Sequence, residues 1–132
     1  MLLRSVEIVS GLYYLVFGID GFVKRIPLPL PSERALAFLK ALDESRYLLF
    51  TVKVIEIIVG LCWILGVGGG LAWLVFTPIW FNILAYHWFL NRQEIFLPSM
   101  IFVLHILLAI HHKEFLFGVW RSGISVSTIV GF

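Results

Sequence analysis

Long apolar runs alternate along this chain with short breaks that are polar, proline-rich or glycine-rich. The runs cover residues 5–23, 47–67, 71–90 and 95–112. Each run approaches the roughly 20 residues that an α-helix needs to cross the hydrocarbon core of a bilayer. The last run is the shortest, and it ends at His111 and His112, which we expect to lie at the membrane–water interface. The pattern therefore predicts four membrane-spanning helices.

The breaks predict how these helices connect. The sequences "GVGGG" (66–70) and "NRQE" (91–94) are short turns that make consecutive spans antiparallel. The longer first break has prolines alternating with apolar residues, then the helix-capping residue Ser32. Residues 32–44 carry apolar side chains on one broad side, which predicts an interfacial amphipathic helix. We therefore expect an all-α membrane protein: one domain of residues 1–132, built as an antiparallel four-transmembrane-helix bundle with this short helix between spans one and two.

The composition favours a membrane environment. Hydrophobic residues make up 61% of the chain and charged residues 14%, against about half and about a quarter in soluble domains. A domain of this size has too much surface per volume to bury the excess, so the expected partner is the lipid bilayer. The charged residues form no basic cluster, and no nucleic-acid partner is expected. The single cysteine, Cys62, permits no internal disulfide.

Each predicted span carries a stripe of polar or small residues at helical spacing. The stripes comprise Glu7, Ser10, Gly11, Tyr14, Gly18 and Gly21 in span one, Lys53, Glu56 and Gly60 in span two, Pro78, Asn82 and Tyr86 in span three, and Pro98, Phe102, His105, Ala109 and His112 in span four. Small residues allow helices to approach closely, and lipid penalises exposed polar groups. We therefore expect the four stripes to face one another inside the bundle.

Lys53 and Glu56 form the most unusual feature of these stripes. A charge at mid-membrane costs about 2.5–3.5 kcal/mol, whereas a pair at this spacing returns only about 0.2–0.5 kcal/mol on a solvated helix. The pair therefore needs further partners. Helix rise places Asn82 level with Glu56, which predicts a cluster of Lys53, Glu56 and Asn82. Such a group either binds a ligand or only fixes the helix register.

Other polar residues complete the candidate set. The candidate cluster or ligand-binding residues are Lys53, Glu56, Asn82, His87, Glu7, Tyr14 and His105. Glu7 is expected at the opposite side of the membrane from Lys53. The chain has four histidines without an HxxxH pair, and the adjacent His111 and His112 are expected to be interfacial anchors. We therefore predict no metal site. No catalytic residue is assigned, since neither a nucleophilic triad nor a phosphate-binding loop is present.

Several segments together resemble the DoxX family of small four-span membrane proteins. They are "GLYYLVFGIDGF", "PLPLP" with "AFLKAL", "KVIEIIVGLCWILG" and "PIWFNILAYHWFL", in order between residues 11 and 90. The resemblance implies a four-helix bundle in a bacterial cytoplasmic membrane. It also implies a link to thiosulfate:quinone oxidoreductase subunits and thiol-stress systems. Lys53, Glu56, Asn82 and His87 are the positions that fit the polar motif of the family.

Three functions are compatible with these observations. In the first, the chain is an accessory or quinone-linked subunit of a membrane redox system. There the cluster holds a quinone head group or relays a proton, Glu56 or His87 titrates, and a redox protein is the partner. In the second, the cluster lines a cavity under the amphipathic helix and binds or transports a small amphiphile or lipid, with a homodimer as one arrangement. In the third, the chain is a structural membrane partner without chemistry. Whether it is an enzyme stays open.

Overall fold

The computed structural model describes residues 1–130, with side chains over residues 1–123. The helices are α1 (Leu2–Val23), α2 (Glu33–Glu44), α3 (Leu48–Leu65), α4 (Gly69–Phe89), α5 (Phe96–His111) and α6 (Lys113–Val130), with a short 3₁₀ turn at Arg92–Glu94. No strand occurs within residues 1–130. The predicted all-α class is therefore confirmed.

Five of these helices lie where the sequence pattern predicted helix. α1, α3, α4 and α5 occupy the four apolar runs, and α2 occupies the amphipathic segment; their ends differ from the predicted ones by at most three residues. The side chain of Ser32 caps α2 by accepting a hydrogen bond from the Ala35 amide at 3.3 Å. α6 lies outside every predicted element.

Three helices have the length and the apolar composition to cross a membrane. They are α1, α3 and α4, and in each of them 28% or less of an 18-residue apolar window is buried. α5 is shorter and joins α6 at a bend of 68°, so the two together form a fourth candidate span. The described part of the chain thus has three to four candidate spans, and most of their apolar surface faces outward.

The predicted stripe of α1 forms a packed helix face. The buried residues of α1 are Glu7, Ser10, Gly11, Tyr14 and Gly18. α1 packs mainly against α3 and also touches α5, while α4 touches both α3 and α5. A Cβ placed on Gly11 would lie 2.7 Å from the carbonyl oxygen of Gly60, and one on Gly60 would lie 2.7 Å from that of Gly11. The two glycines therefore set the close approach of α1 to α3.

The buried side of α4 differs from the prediction. Phe76 and Trp80 are buried, and Phe76 makes an edge contact with Tyr14 at 4.3 Å between ring centroids. Pro78 and Asn82 lie on the exposed side of the same helix. The predicted inward stripe of span three is thus wrong: Phe76 and Trp80 pack against Tyr14 and His105 on the inner side, while the Asn82 amide donates to a carbonyl of its own helix.

Candidate functional site

Lys53 and Glu56 form an ion pair on the side of α3 that packs against α1. The Lys53 Nζ lies 2.7 Å from Glu56 Oε2, and the side chains are 22% and 4% exposed. The space for both side chains comes from glycines of α1. A Cβ on Gly18 would lie 3.2 Å from Glu56 Cβ, and a Cβ on Gly21 would lie 2.6 Å from Lys53 Cγ. The glycine stripe of α1 therefore admits the charged pair of α3.

Asn82 does not join this pair. It is exposed on α4, and its Nδ2 donates to the carbonyl oxygen of Pro78 at 2.9 Å. No hydrogen bond connects it to Lys53 or Glu56, all three being described residues. The predicted cluster of Lys53, Glu56 and Asn82 is therefore wrong. The amide satisfies part of its hydrogen-bonding capacity within its own helix and needs no partner on α3.

His87, Tyr14 and His105 lie in three separate surroundings. His87 is half-buried near the end of α4, where its ring meets that of Tyr86 edge-on. Tyr14 is buried in the aromatic core, and its hydroxyl has no hydrogen-bond partner among the described residues. His105 stacks between Trp73 and Trp80, and its Nε2 lies 3.1 Å from Thr77 Oγ1. His105 thus occupies an aromatic stack between α4 and α5, without a bond to the Lys53 pair.

A cleft of about 380 Å³ opens beside Lys53, where α1, α2 and α3 meet. Its lining comprises Gly21, Phe22, Lys24, Asp43, Arg46, Leu49, Phe50 and Lys53. Three of these residues are cationic and one is a carboxylate, while Phe22 and Phe50 meet edge-on at 5.6 Å between centroids. We name it the Lys53 cleft. It combines an excess of positive charge with an apolar wall.

Two cations of the Lys53 cleft are held by unusual backbone turns. Lys24, with φ 51°, and Arg46, with φ 64°, are the non-glycine residues with positive φ in the described chain. The Asp20 carboxylate fixes the first turn by accepting the backbone N–H groups of Arg25 at 2.7 Å and Ile26 at 2.9 Å. In the second turn, Arg46 N–H donates to the Asp43 carbonyl at 3.0 Å. Lys24 is the C-cap of α1, a position where helices commonly adopt the left-handed conformation, and its N–H donates to the Asp20 carbonyl at 2.8 Å.

A second polar cluster lies at the other end of α3 and was not predicted as a unit. Glu7 Oε1 lies 2.9 Å from His112 Nε2, and Glu7 Oε2 lies 3.5 Å from His111 Nε2. Glu7 was predicted on the opposite side from Lys53, and this end is where it lies. The predicted up-and-down order of the spans places the start of span one and the end of span four at the same side. From that topology the sequence could have predicted that Glu7 lies close to His111 and His112.

Arg4 anchors this second cluster to the end of α3. Its Nη1 lies 2.6 Å from Glu7 Oε2 and also donates to the Trp63 carbonyl at 2.6 Å, while Nη2 donates to the Ile64 carbonyl at 2.6 Å. The carbonyls at the end of a helix have no partners inside it, and they carry the negative end of its dipole. Arg4 therefore caps α3 and fixes one oxygen of the buried carboxylate at the same time.

Comparisons with known proteins do not assign this arrangement to a family. No protein-family model, no curated protein and no solved structure matches the chain. The functional argument therefore rests on the Lys53 cleft and on the cluster around Glu7.

Proposed function

We propose that the chain is an integral membrane protein, with α1, α3, α4 and the bent pair of α5 and α6 as four spans of one bundle. The contacts of α1 and α4 with both α3 and α5 support this arrangement. The outward apolar surface of the candidate spans supports insertion, since water would penalise it. The resemblance to the DoxX family is the support for a bacterial cytoplasmic membrane. Insertion predicts that the chain stays with the membrane fraction after alkaline extraction.

We further propose that the Lys53 cleft binds an anionic amphiphile, meaning an acyl chain with a carboxylate or phosphate head group. The observation that carries this proposal is the meeting of Lys24, Arg46 and Lys53 above an aromatic wall. The lining carries three cations and one carboxylate, so its net positive charge attracts an acidic head group. An acyl chain fits the phenyl rings and the lipid beyond them. The function is therefore lipid or fatty-acid binding, either as a carrier or as a sensor.

Lys53 has the central role in this proposal. Its ammonium group has three N–H donors, and one of them points to Glu56 Oε2 at 2.7 Å. The remaining donors are available to a head group that enters the cleft. Glu56 keeps the ammonium group oriented and prevents an uncompensated charge when the cleft holds no ligand. The pair thus combines a binding group with its own counter-ion.

The charge of the cleft favours an acid over a quinone. A quinone head group is neutral and accepts hydrogen bonds, so it gains little from the cations Lys24 and Arg46. A carboxylate or phosphate gains from each of them. The predicted redox role would also draw on Asn82 and His87, and neither of them lines the cleft. Binding of an anionic amphiphile is thus the function that the geometry supports best.

Photo-cross-linking tests the position of the ligand. Purified protein in zwitterionic nanodiscs is irradiated with a diazirine-labelled palmitate, and the labelled peptides are mapped by mass spectrometry. We expect labels at Phe22, Phe50 and their neighbours, with a yield that falls at least about fivefold in Arg46→Gln, since a charge-assisted contact of about 1.5–3 kcal/mol is lost. Arg34→Gln, which removes an exposed arginine from α2, is the matched control and should leave the yield unchanged.

The outcome depends on where the labels lie. Labels spread evenly over the outward faces of α1, α3 and α4 would mean that palmitate only dissolves in the surrounding lipid. An equal loss of yield in Arg34→Gln and Arg46→Gln would mean that general surface charge, and not the Lys53 cleft, attracts the acid. Either result rejects the proposed site.

A further inference from the structure

The cluster around Glu7 has the donor chemistry of a transition-metal site. A carboxylate and two imidazoles are the ligand set that Zn²⁺ takes in many proteins, with a fourth position left open. The donor atoms of Glu7, His111 and His112 all lie within 4.8 Å of one another. We infer that these three side chains bind a divalent transition-metal ion, with Zn²⁺ as the best match.

The distances fit a small ion. Bonds of about 2.0–2.1 Å in a tetrahedral site separate neighbouring ligand atoms by roughly 3.3 Å. The Glu7 carboxylate oxygens lie 2.9 Å from His112 Nε2 and 3.5 Å from His111 Nε2. These separations lie on either side of the tetrahedral value. The two distances run to different oxygens of Glu7, so the side chains must rotate to place one donor atom from each residue around a single ion; these donor atoms lie within 4.8 Å of one another.

His112 presents a buried imidazole nitrogen to the carboxylate of Glu7. Its Nε2 is buried and has no hydrogen-bond partner among the described residues, although Glu7 Oε1 lies 2.9 Å away. At this distance the two atoms form an ion pair when the imidazole is protonated. A cation held between the imidazole nitrogen and the carboxylate oxygen satisfies both atoms.

The surroundings of the cluster hold the ligands in place and leave room beside them. Arg4 binds Glu7 Oε2 and so fixes the carboxylate, as outer-shell partners do at metal sites. Gly69, the first residue of α4, lies directly against the cluster. A Cβ on Gly69 would lie 2.7 Å from both Glu7 Oε1 and His112 Nε2. Glycine at this position therefore keeps open the space between the two donors.

The location gives the site a structural consequence. Glu7 lies on α1, whereas His111 and His112 lie where α5 bends by 68° into α6. An ion bound to all three would tie the start of the chain to this bend. The site does not depend on the proposed amphiphile, since the Lys53 cleft lies at the other end of α3. Failure of either proposal leaves the other intact.

Cobalt titration of the full chain tests the inference. The protein carries a purification tag without histidine, is stripped with a chelator in detergent and is titrated with Co²⁺, whose visible absorption reports four-coordinate geometry. We expect one Co²⁺ per chain, displaced by Zn²⁺. Glu7→Gln and His112→Gln should weaken binding by at least about 10–100-fold, the loss typical even of outer-shell partners. His87→Gln, which removes a histidine near the other end of α4, should bind like the wild type.

A second readout covers variants that fold poorly. Zn²⁺ should raise the Tm of the wild type, because an ion that binds only the folded state stabilises it. The rise should be lost in His111→Gln, a substitution at a side chain that is 30% exposed and tolerant of change. The absence of a Co²⁺ spectrum in the wild type would overturn the inference. Equal weakening in the His87 and His112 variants would do the same and would indicate an adventitious ion only.

Discussion

At the scale of single residues, the structure explains how α3 tolerates two charges. Glu56 is 3% exposed and has the Lys53 ammonium as its counter-ion, so neither charge is buried alone. Gly18 and Gly21 on α1 give both side chains their space. The pair does not need Asn82, the partner that helix rise predicted. Its second partner in our account is the ligand of the Lys53 cleft.

The coupling of the two charges predicts an asymmetry between single and double substitutions. Lys53→Met leaves the Glu56 carboxylate buried without a counter-ion and should lower the free energy of unfolding by about 3–5 kcal/mol. Lys53→Met combined with Glu56→Leu removes both charges and should recover most of that loss. Thermal unfolding in detergent measures the stability of the single and the double variant. Lys40→Met is the control for the loss of an exposed lysine. A double variant as unstable as the single one would contradict the coupling.

At the scale of helices, the contact of α1 with α3 organises the fold. The stripe of α1 was predictable because small residues at helical spacing are typical of helix contact faces. The inward face of α4 was not predictable. Its polarity indicated that the side with Pro78 and Asn82 faces inward, whereas the side with Phe76 and Trp80 is the buried one. Asn82 donates one hydrogen bond within α4, and the aromatic rings of Phe76 and Trp80 occupy the inner side of the helix.

The close approach of these two helices predicts opposite effects for two Gly→Ala changes. Gly11→Ala puts a Cβ 2.7 Å from the Gly60 carbonyl oxygen, a backbone atom that cannot move aside, and should destabilise the chain by about 1–3 kcal/mol. Gly118→Ala, where no described atom lies within 4 Å, should stabilise α6 by about 0.5–1 kcal/mol. The Tm of each variant in detergent, compared with that of the wild type, measures these two effects. Equal effects of the two changes would mean that α1 and α3 do not pack through their glycines.

At the scale of the whole molecule, polar groups concentrate at two ends of the helical assembly. The Lys53 cleft lies where α1 and α2 end and α3 begins, and the cluster of Glu7, His111 and His112 lies where α1 begins and α5 ends. The aromatic core of Tyr14, Trp63 and Phe76 lies between them. The sequence predicted α1 to α5 and the Lys53–Glu56 contact, because both depend on residues close in the chain, whereas α6 was not predicted.

The two sites themselves depend on contacts between residues far apart in the chain. Glu7 meets His112 only after α1 and α5 pack together. Lys24, Arg46 and Lys53 meet only because two left-handed turns direct the chain from α1 to α2 and from α2 to α3. Helical periodicity carries no information on such turns at non-glycine residues. For this reason the sequence identified Lys53 as a candidate but did not identify the cleft around it.

The measurement that tests the central claim most directly is competition at the Lys53 cleft. A fluorescent fatty acid bound to the protein in zwitterionic nanodiscs is displaced by palmitate, by hexadecanol or by a ubiquinone analogue. We expect palmitate to compete at least about tenfold better than the two neutral compounds, since its carboxylate alone gains charge-assisted contacts of about 1.5–3 kcal/mol. That preference should fall in the combined Lys53→Met and Glu56→Leu variant, which keeps Lys24 and Arg46 but loses the ammonium group of Lys53. Equal competition by the neutral compounds, or an unchanged preference in the variant, would contradict the account.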